Sequence, residues 1–486
     1  MTVKNFKSQI FNPKSRARGG YITILVLVFA AVFITTTASL IGFIFIQNKL
    51  HFAKENREKA IQIAEAGLDY YKWFLSHFPD DFQDGTGGVG PYNHTYNDPE
   101  GGEIGTFSLT INENQICEAA YSVDIISEGW AKNDPSLKRK VFGRYARPSV
   151  AEYAFIINSS VWAGPDHEIT GRYHSNGGVR MDGYNESIVT SSVEEWQCSS
   201  TFGCNPTQTK PGIFGEGSGS ELWEFPTTPI DFAGITVDLV DMKERAQTNG
   251  IYFNPYGGNS DRRGYHLIFK DNGTIDAYRV TETSYAMSIH IDDMGGGWKR
   301  DYHTIVNEQF IGNYNIPSDC GLIFAESKIW IEGTINGKIT VVAANISNPN
   351  ITPDIILEGN INYTTFDGSD GLTAIAERSV LIPLESPDNM NIRGIFIAQN
   401  GYFGRNLYPC WYSPYDHRNS LTTNGSIVSN VRVGTKWGYT GGGCGFEQWS
   451  GYSERDNFYD RILATDPPPL TPFTSDDFRF IEWRAD

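Results

Sequence analysis

From Tyr21 to Ile46 the chain runs 26 residues without a charged side chain. As a helix this stretch is roughly 39 Å long, more than the ~30 Å of a bilayer's hydrocarbon core. Beyond it the pattern narrows to one face. Ile61, Ala64, Leu68, Tyr71 and Leu75 recur at three- and four-residue steps, the signature of an amphipathic helix. Gln47 to Leu75 contains no proline and one glycine, Gly67, and Glu55 stands four residues before Lys59, the spacing of an ion pair on the wet side. Pro79 stops the helix near Leu75, because the residue before a proline is pushed out of helical space. The expectation is one helix of roughly 80 Å, apolar all round over residues 21–46 and one-faced over 47–78.

The period then falls to two. Thr106–Asn112, Tyr121–Trp130 and Lys138–Tyr145 alternate as strands do, predicting a small antiparallel sheet within residues 103–148. Its single apolar face needs a cover, and the one-faced half of the helix supplies it. From residue 150 onwards, short apolar pairs are punctuated by Gly and Asn. Ala325-Glu-Ser-Lys-Ile-Trp-Ile331 is echoed by Ala376-Glu-Arg-Ser-Val-Leu-Ile382 and by Ala398-Gln-Asn-Gly-Tyr-Phe403; Ser175-Asn-Gly-Gly-Val179 is echoed by Thr423-Asn-Gly-Ser-Ile427. The last two alanine units are 22 residues apart, which suits one coil of a parallel β-solenoid, whose apolar faces are buried only by stacking. Ile329, Ile331, Ile335, Ile339 and Val341 are its expected inward positions, with Gly333 and Gly337 at bends. A β-sandwich is the alternative fold.

The solenoid is expected over 150–222 and 313–486, interrupted by a projecting α+β insertion over 223–312. Leu239, Met242 and Ala246 have helical spacing there, and Gly264–Lys270 faces Thr274–Val280 across an Asn-Gly turn. The proline run Pro467–Pro469 and the aromatic strand Phe480–Trp483 are expected to lie over the solenoid's end and shield it. The fold class is thus mainly β with a long N-terminal α-helix.

The leader changes the reading of the helix. Residues 1–20 hold Lys4, Lys7, Lys14, Arg16 and Arg18 and no acid, which puts the amino terminus in the cytoplasm and the bulk of the chain outside. A cleaved secretory signal is the rival, but its apolar region is shorter, and Gln47-Asn48-Lys49 makes a poor exit site. Arg18-Gly19-Gly20-Tyr21 before the apolar run, with Ala64-Glu65-Ala66-Gly67-Leu68 behind it, resembles the amino end of type IV pilins, above all the PilX-type minor pilins. The resemblance covers residues 16–75, and Tyr121-Ser-Val-Asp-Ile-Ile-Ser-Glu-Gly129 resembles the following strand of that family. It implies cleavage between Gly20 and Tyr21 by a prepilin peptidase, residence in the inner membrane, and packing of the stalk helix against other pilins. Major pilins carry an assembly glutamate at the fifth mature position; here Leu25 stands there, as in the PilX-type branch or the tip pseudopilins of type II secretion.

The net charge of −18 argues against nucleic acid as a partner, since phosphate contact needs lysine and arginine. Six cysteines outside the cytoplasm are disulfide candidates. Cys198 and Cys204 close a short turn-rich ring, Cys410 and Cys444 form the next pair, and Cys117 and Cys320 are left over. No metal-binding spacing is present, and no cofactor is expected.

Catalytic constellations are sparse. Asp292-Asp293 and Asp166-His167 are adjacent pairs that read as solvated turn acids, since neighbours on a strand face opposite ways. His174 reads as a solenoid-turn residue. Asp367-Gly-Ser-Asp-Gly371 lacks the distal glutamate of a calcium loop. Aromatic density is the stronger signal: Tyr402, Tyr408, Trp411, Tyr412 and Tyr415 crowd one stretch, a candidate platform for a carbohydrate or protein ligand. The expected function is that of a non-enzymatic minor pilin-like surface protein acting in pilus assembly or adhesion. The alternative is a tip pseudopilin of a secretion apparatus, and the third reading a membrane-anchored polysaccharide-active solenoid enzyme.

Overall fold

The computed structural model describes residues 20–79, 81–117, 119–233, 238–256, 262–293, 297–439, 448–475 and 477–485. Residues 1–19, all of the expected leader but Gly20, and Cys444 lie outside them. Helix α1 (Gly20–His77) is continuous. Its first half is exposed on every side, with a mean hydropathy of 2.5 over its most apolar window. Its second half buries Ile63, Ala64, Leu68, Tyr71, Phe74 and Leu75. Glu55 and Lys59 form the expected pair at 2.7 Å.

That buried face lies on an antiparallel sheet of strands β1 (Tyr92–Asn97), β2 (Glu103–Ile116), β3 (Ala119–Ala131) and β4 (Asp134–Ala146), through Phe107, Leu109, Val123, Ile125, Val141 and Tyr145. The contact is close enough to require glycine on both sides. A β-carbon on Gly129 would stand 2.4 Å from the Ala60 carbonyl oxygen, and one on Gly67 2.3 Å from Ser127 Oγ. The fifth strand of this sheet is the chain's last, Arg479–Ala485, antiparallel to β4, with the Phe480 ring 4.1 Å from that of Tyr145. This corrects the expectation that the tail's strand caps the solenoid. The open edge of β4 offers unpaired backbone groups, and the tail satisfies them. The segment before that strand is what touches the solenoid: Leu463 packs in its wall, Thr340 Oγ1 donates to the Pro469 carbonyl and the Thr373 and Thr471 hydroxyls are 2.7 Å apart.

The head is a parallel β-solenoid, and one column of inward residues runs along it: Ile251, Ile323, Val341, Ala374, Phe396, Ile427, Phe155, Tyr173, Val189 and Trp223, each paired in register with the next. The column's order is not the chain's order. The chain enters mid-stack at Tyr153–Ile157, winds outward to Trp223–Glu224, crosses back to the far end at Ile251–Phe253, and winds home until His417–Ser429 stacks on Tyr153–Ile157. The direction of stacking stays the same throughout. The head therefore has a seam between coils some 270 residues apart in sequence, sealed by Ile427 against Phe155 and by Arg455 paired with His167.

Ile329, Ile331, Ile335, Ile339 and Val341 all lie in the solenoid core, and Gly333 and Gly337 turn with φ of +116° and +93°. Ala325, Ala376 and Ala398 share one column with Ala343. The second echo has no structural counterpart: Ser175 aligns, through Ile157, with Ser429 and not with Thr423. Nor is 223–312 wholly an insertion. Ile251–Phe253 and Gly264–Phe269 are solenoid strands, parallel to Leu322–Ala325 and Lys328–Ile335. Helix α2 (Leu239–Thr248) lies flat on the solenoid wall, Met242 and Ala246 burying Leu322, Phe324 and Val342. A parallel sheet needs both faces covered, which is why this helix cannot project. The long arms Thr274–Ser288 and Lys299–Asn315 form the antiparallel hairpin that leaves the stack.

Cys198 and Cys204 are bridged, and so are Cys117 and Cys320, the two left over by the sequence reading. Cys410 is also disulfide-bonded.

Candidate recognition surfaces and an acidic groove

Two of the aromatic candidates are not at the surface. Tyr402 is buried beneath the hairpin with its hydroxyl 2.8 Å from Asn406 Oδ1, and Tyr408 is buried against Ala286 and Leu384. The cause is topological: Phe403–Gly404 pairs with Val380–Leu381 as an inner coil, and the hairpin closes over it through the Ile289–Leu407 bridge. The remaining three stay accessible. Trp411 is 53% exposed, Tyr415 42%, and Tyr412 half-buried, its hydroxyl accepting from the Met287 amide at 2.7 Å. The hairpin enlarges this patch with residues that the sequence reading missed. Trp298 stands 5.5 Å from Trp411, ring to ring, and Tyr285 lies between Arg300 and Tyr302. Nothing local in the sequence marks the contact, because the partners lie more than a hundred residues apart.

A second surface lies across adjacent coils. An open groove of 530 Å³ is lined by Glu332, Glu358 and Glu385 with Asn360 and Asn362. His266 sits at its side, Nδ1 2.9 Å from Glu308 and Nε2 3.3 Å from Glu332. Burial lowers the His266 pKa, but hydrogen bonding and charge from these carboxylates outweigh it, and the net shift is upward. Burial pushes the Glu358 carboxyl up to about 7, helped by Glu332 and Glu385 against the opposing pull of His266. In the unfolded chain this acid ionises near 4.5. The fold consequently loses stability as pH rises from about 4.5 through about 7, by roughly 3 kcal/mol. Glu358→Gln is expected to leave the denaturation midpoint unchanged near pH 4.5 and to raise it at pH 8; an equal effect at both values would contradict the assignment.

The remaining polar candidates are tied into the fold. Asp166 accepts ion pairs from both Lys436 and Arg455, and His167 bonds Asn457, so this pair is a seam contact and not a solvated turn. His174 is buried on the strand Arg172–Ser175, held by Thr190 at 2.8 Å and Asn176 at 2.9 Å. Asp370 spends its carboxylate on Thr364, Thr365 and the Gly337 amide, and Asp367 on Thr365 and Ser369. Among the described residues no group of three or more His, Cys, Asp or Glu side chains is placed to hold a metal. Asp292 is exposed, and the side chain of Asp293 lies outside the described residues.

No protein-family model matches the chain, and no curated protein matches it. Among solved structures it is similar to the competence-associated pilin ComZ from Thermus thermophilus, at 13% identity over 89% of this chain and 97% of that one, with a TM-score of 0.30. A likeness that loose transfers no residue role. The pilin-like layout rests on this chain's own geometry: a long helix, bare and apolar at its start, whose second half packs on an antiparallel sheet.

Proposed function

We propose that this chain is a PilX-type minor pilin of a type IV pilus system, cleaved after Gly20, anchored through residues 21–46, and displaying its β-rich head for attachment. One observation carries the reading: among the described residues the apolar half of α1 finds no cover, while its second half buries Ile63, Ala64, Leu68, Tyr71 and Leu75 on the sheet. A bundle of like helices, or a membrane before assembly, supplies the missing cover. Leu25 in place of the assembly glutamate, together with the bulk of the head, fits a sparse or tip position. The exposed Trp298–Trp411–Tyr415 patch is the proposed contact surface.

The test has two arms. Mass spectrometry of the mature membrane form is expected to find Tyr21 first, with Gly20→Ala unprocessed; residues from 1–20 on the mature form would favour a plain signal anchor. The protein is expected in sheared surface fibres at far lower amount than the main subunit. A Trp298→Ala, Trp411→Ala, Tyr415→Ala variant should form fibres yet attach several-fold less. Normal attachment together with loss of a secreted substrate would favour the tip pseudopilin.

The acidic groove favours a second reading, a polysaccharide-active enzyme. A carboxyl whose pKa is pushed up to about 7 beside further carboxyl side chains is the kind of group that glycoside hydrolysis uses as its acid. Hydrolysis of a polysaccharide by the full-length protein, abolished in Glu358→Gln, would establish it.

A further inference from the structure

A cavity of 770 Å³ lies at the seam. Its walls come from the two ends of the head's sequence: Trp162, Asp166 and Tyr173 from the first coils, Arg432, Trp437 and Trp449 from the last. Its volume falls within the range of small-ligand sites. Its charge is opposite to that of the whole chain. Arg432, Lys436 and Arg455 line it against the single carboxylate of Asp166, which Lys436 and Arg455 share. Arg432 has no carboxylate within ion-pair distance among the described residues; it touches the Thr201 carbonyl at 3.4 Å and stacks 4.7 Å above Phe202. The Nε atoms of Arg432 and Arg455 are buried and make no hydrogen bond among the described residues.

The aromatic walls are held rigid. Trp162 Nε1 donates to Asp182 at 2.8 Å beneath the Arg180 guanidinium, and Trp437 Nε1 donates to the Arg405 carbonyl at 2.7 Å. Trp449 stands edge-on to His417 at 4.0 Å. Fixed indole edges and faces suit a flat ring carrying polar substituents, and the excess of cations asks that ring for a negative charge. A nucleic-acid strand fits less well, since it needs cations spread along a groove, whereas here Lys436 and Arg455 are drawn together on Asp166 and Arg432 stands apart from them against Phe202 and Trp437.

We propose that the seam cavity binds an acidic sugar residue, a pyranose bearing a carboxylate, with Arg432 receiving the carboxylate and the tryptophans walling the ring. The proposal goes beyond the attachment reading, whose Trp298–Trp411–Tyr415 patch contributes no residue to this cavity. Because the cavity straddles the seam, the ligand would also clamp the first coils to the last and stabilise the head by linkage.

Full-length protein in detergent is titrated with tri-galacturonate, with a neutral cello-oligosaccharide and with a short single-stranded oligonucleotide, followed by tryptophan fluorescence and thermal midpoint. The expected result is saturable binding of tri-galacturonate with a rise in midpoint, at least tenfold weaker binding of the neutral sugar, and a tenfold or greater loss in Arg432→Met. Trp449→Leu provides a second variant, expected to weaken binding at least fivefold should Arg432→Met fail to fold. No saturation by the acidic sugar, equal binding of the neutral one, preference for the oligonucleotide, or unchanged binding in a folded Arg432→Met would each overturn the proposal. Fibre attachment is scored separately, so that loss of the attachment role leaves the titration intact and the two readings fail independently.

Discussion

Trp330→Ala is expected to lower the stability of the head by about 3–5 kcal/mol, the usual cost of emptying a large aromatic site in a core. Trp330 is fully buried on the outer side of Lys328–Ile335, where it packs with Ile356, Leu381 and Tyr402 under the hairpin. Its indole Nε1 donates to the His303 carbonyl at 2.6 Å. The same side chain therefore fills the wall of the solenoid and pins the hairpin arm Lys299–Asn315 against it. Removing it leaves a cavity and an unmet carbonyl, whose loss adds about 1 kcal/mol. The denaturation midpoint should fall, and proteolysis should begin within residues 274–315. Trp330→Phe, which keeps most of the volume and loses the hydrogen bond, should sit between the two. A midpoint unchanged in Trp330→Ala would mean that the hairpin does not close over this wall.

Loss of the Cys117–Cys320 bridge is expected to cost about 2–5 kcal/mol, more than loss of Cys198–Cys204. The two bridges close loops of very different length, with sequence separations of 203 and 6, and the longer loop constrains the unfolded chain more. Position also matters. Cys117 sits at the turn between β2 and β3 with a left-handed φ of +54°, its amide donates to the Asp319 carbonyl at 3.1 Å, and the Arg245 guanidinium of α2 donates to the Cys117 carbonyl. This one point joins the sheet under the stalk to the solenoid. Cys117→Ser with Cys320→Ser should lower the midpoint under non-reducing conditions by more than Cys198→Ser with Cys204→Ser. The reverse order would show that the unfolded chain gains little from the long loop.

What the sequence determined by itself is local. The stalk helix, the two bends at Gly333 and Gly337, and the turn at Gly273 all follow from short-range periodicity or backbone sterics, and each is found in place. The alanine echo marked true neighbours, because small residues recur where adjacent coils stack in register. The Cys198–Cys204 ring was legible for the same reason of proximity. Tertiary structure decided the rest. Solenoid coils present similar apolar faces, so a coil's sequence does not say which other coil it will lie on; only the stack puts Phe155 on Ile427 and creates the seam with its cavity. Tyr402 and Tyr408 read as surface aromatics until the hairpin covered them, while Trp298 joined Trp411 from more than a hundred residues away. The last strand chose the edge of β4, because the backbone groups open there needed partners and an edge strand offers them to any segment of matching register. Local periodicity thus fixes what each segment is, and the pairing of distant, interchangeable surfaces fixes where it goes.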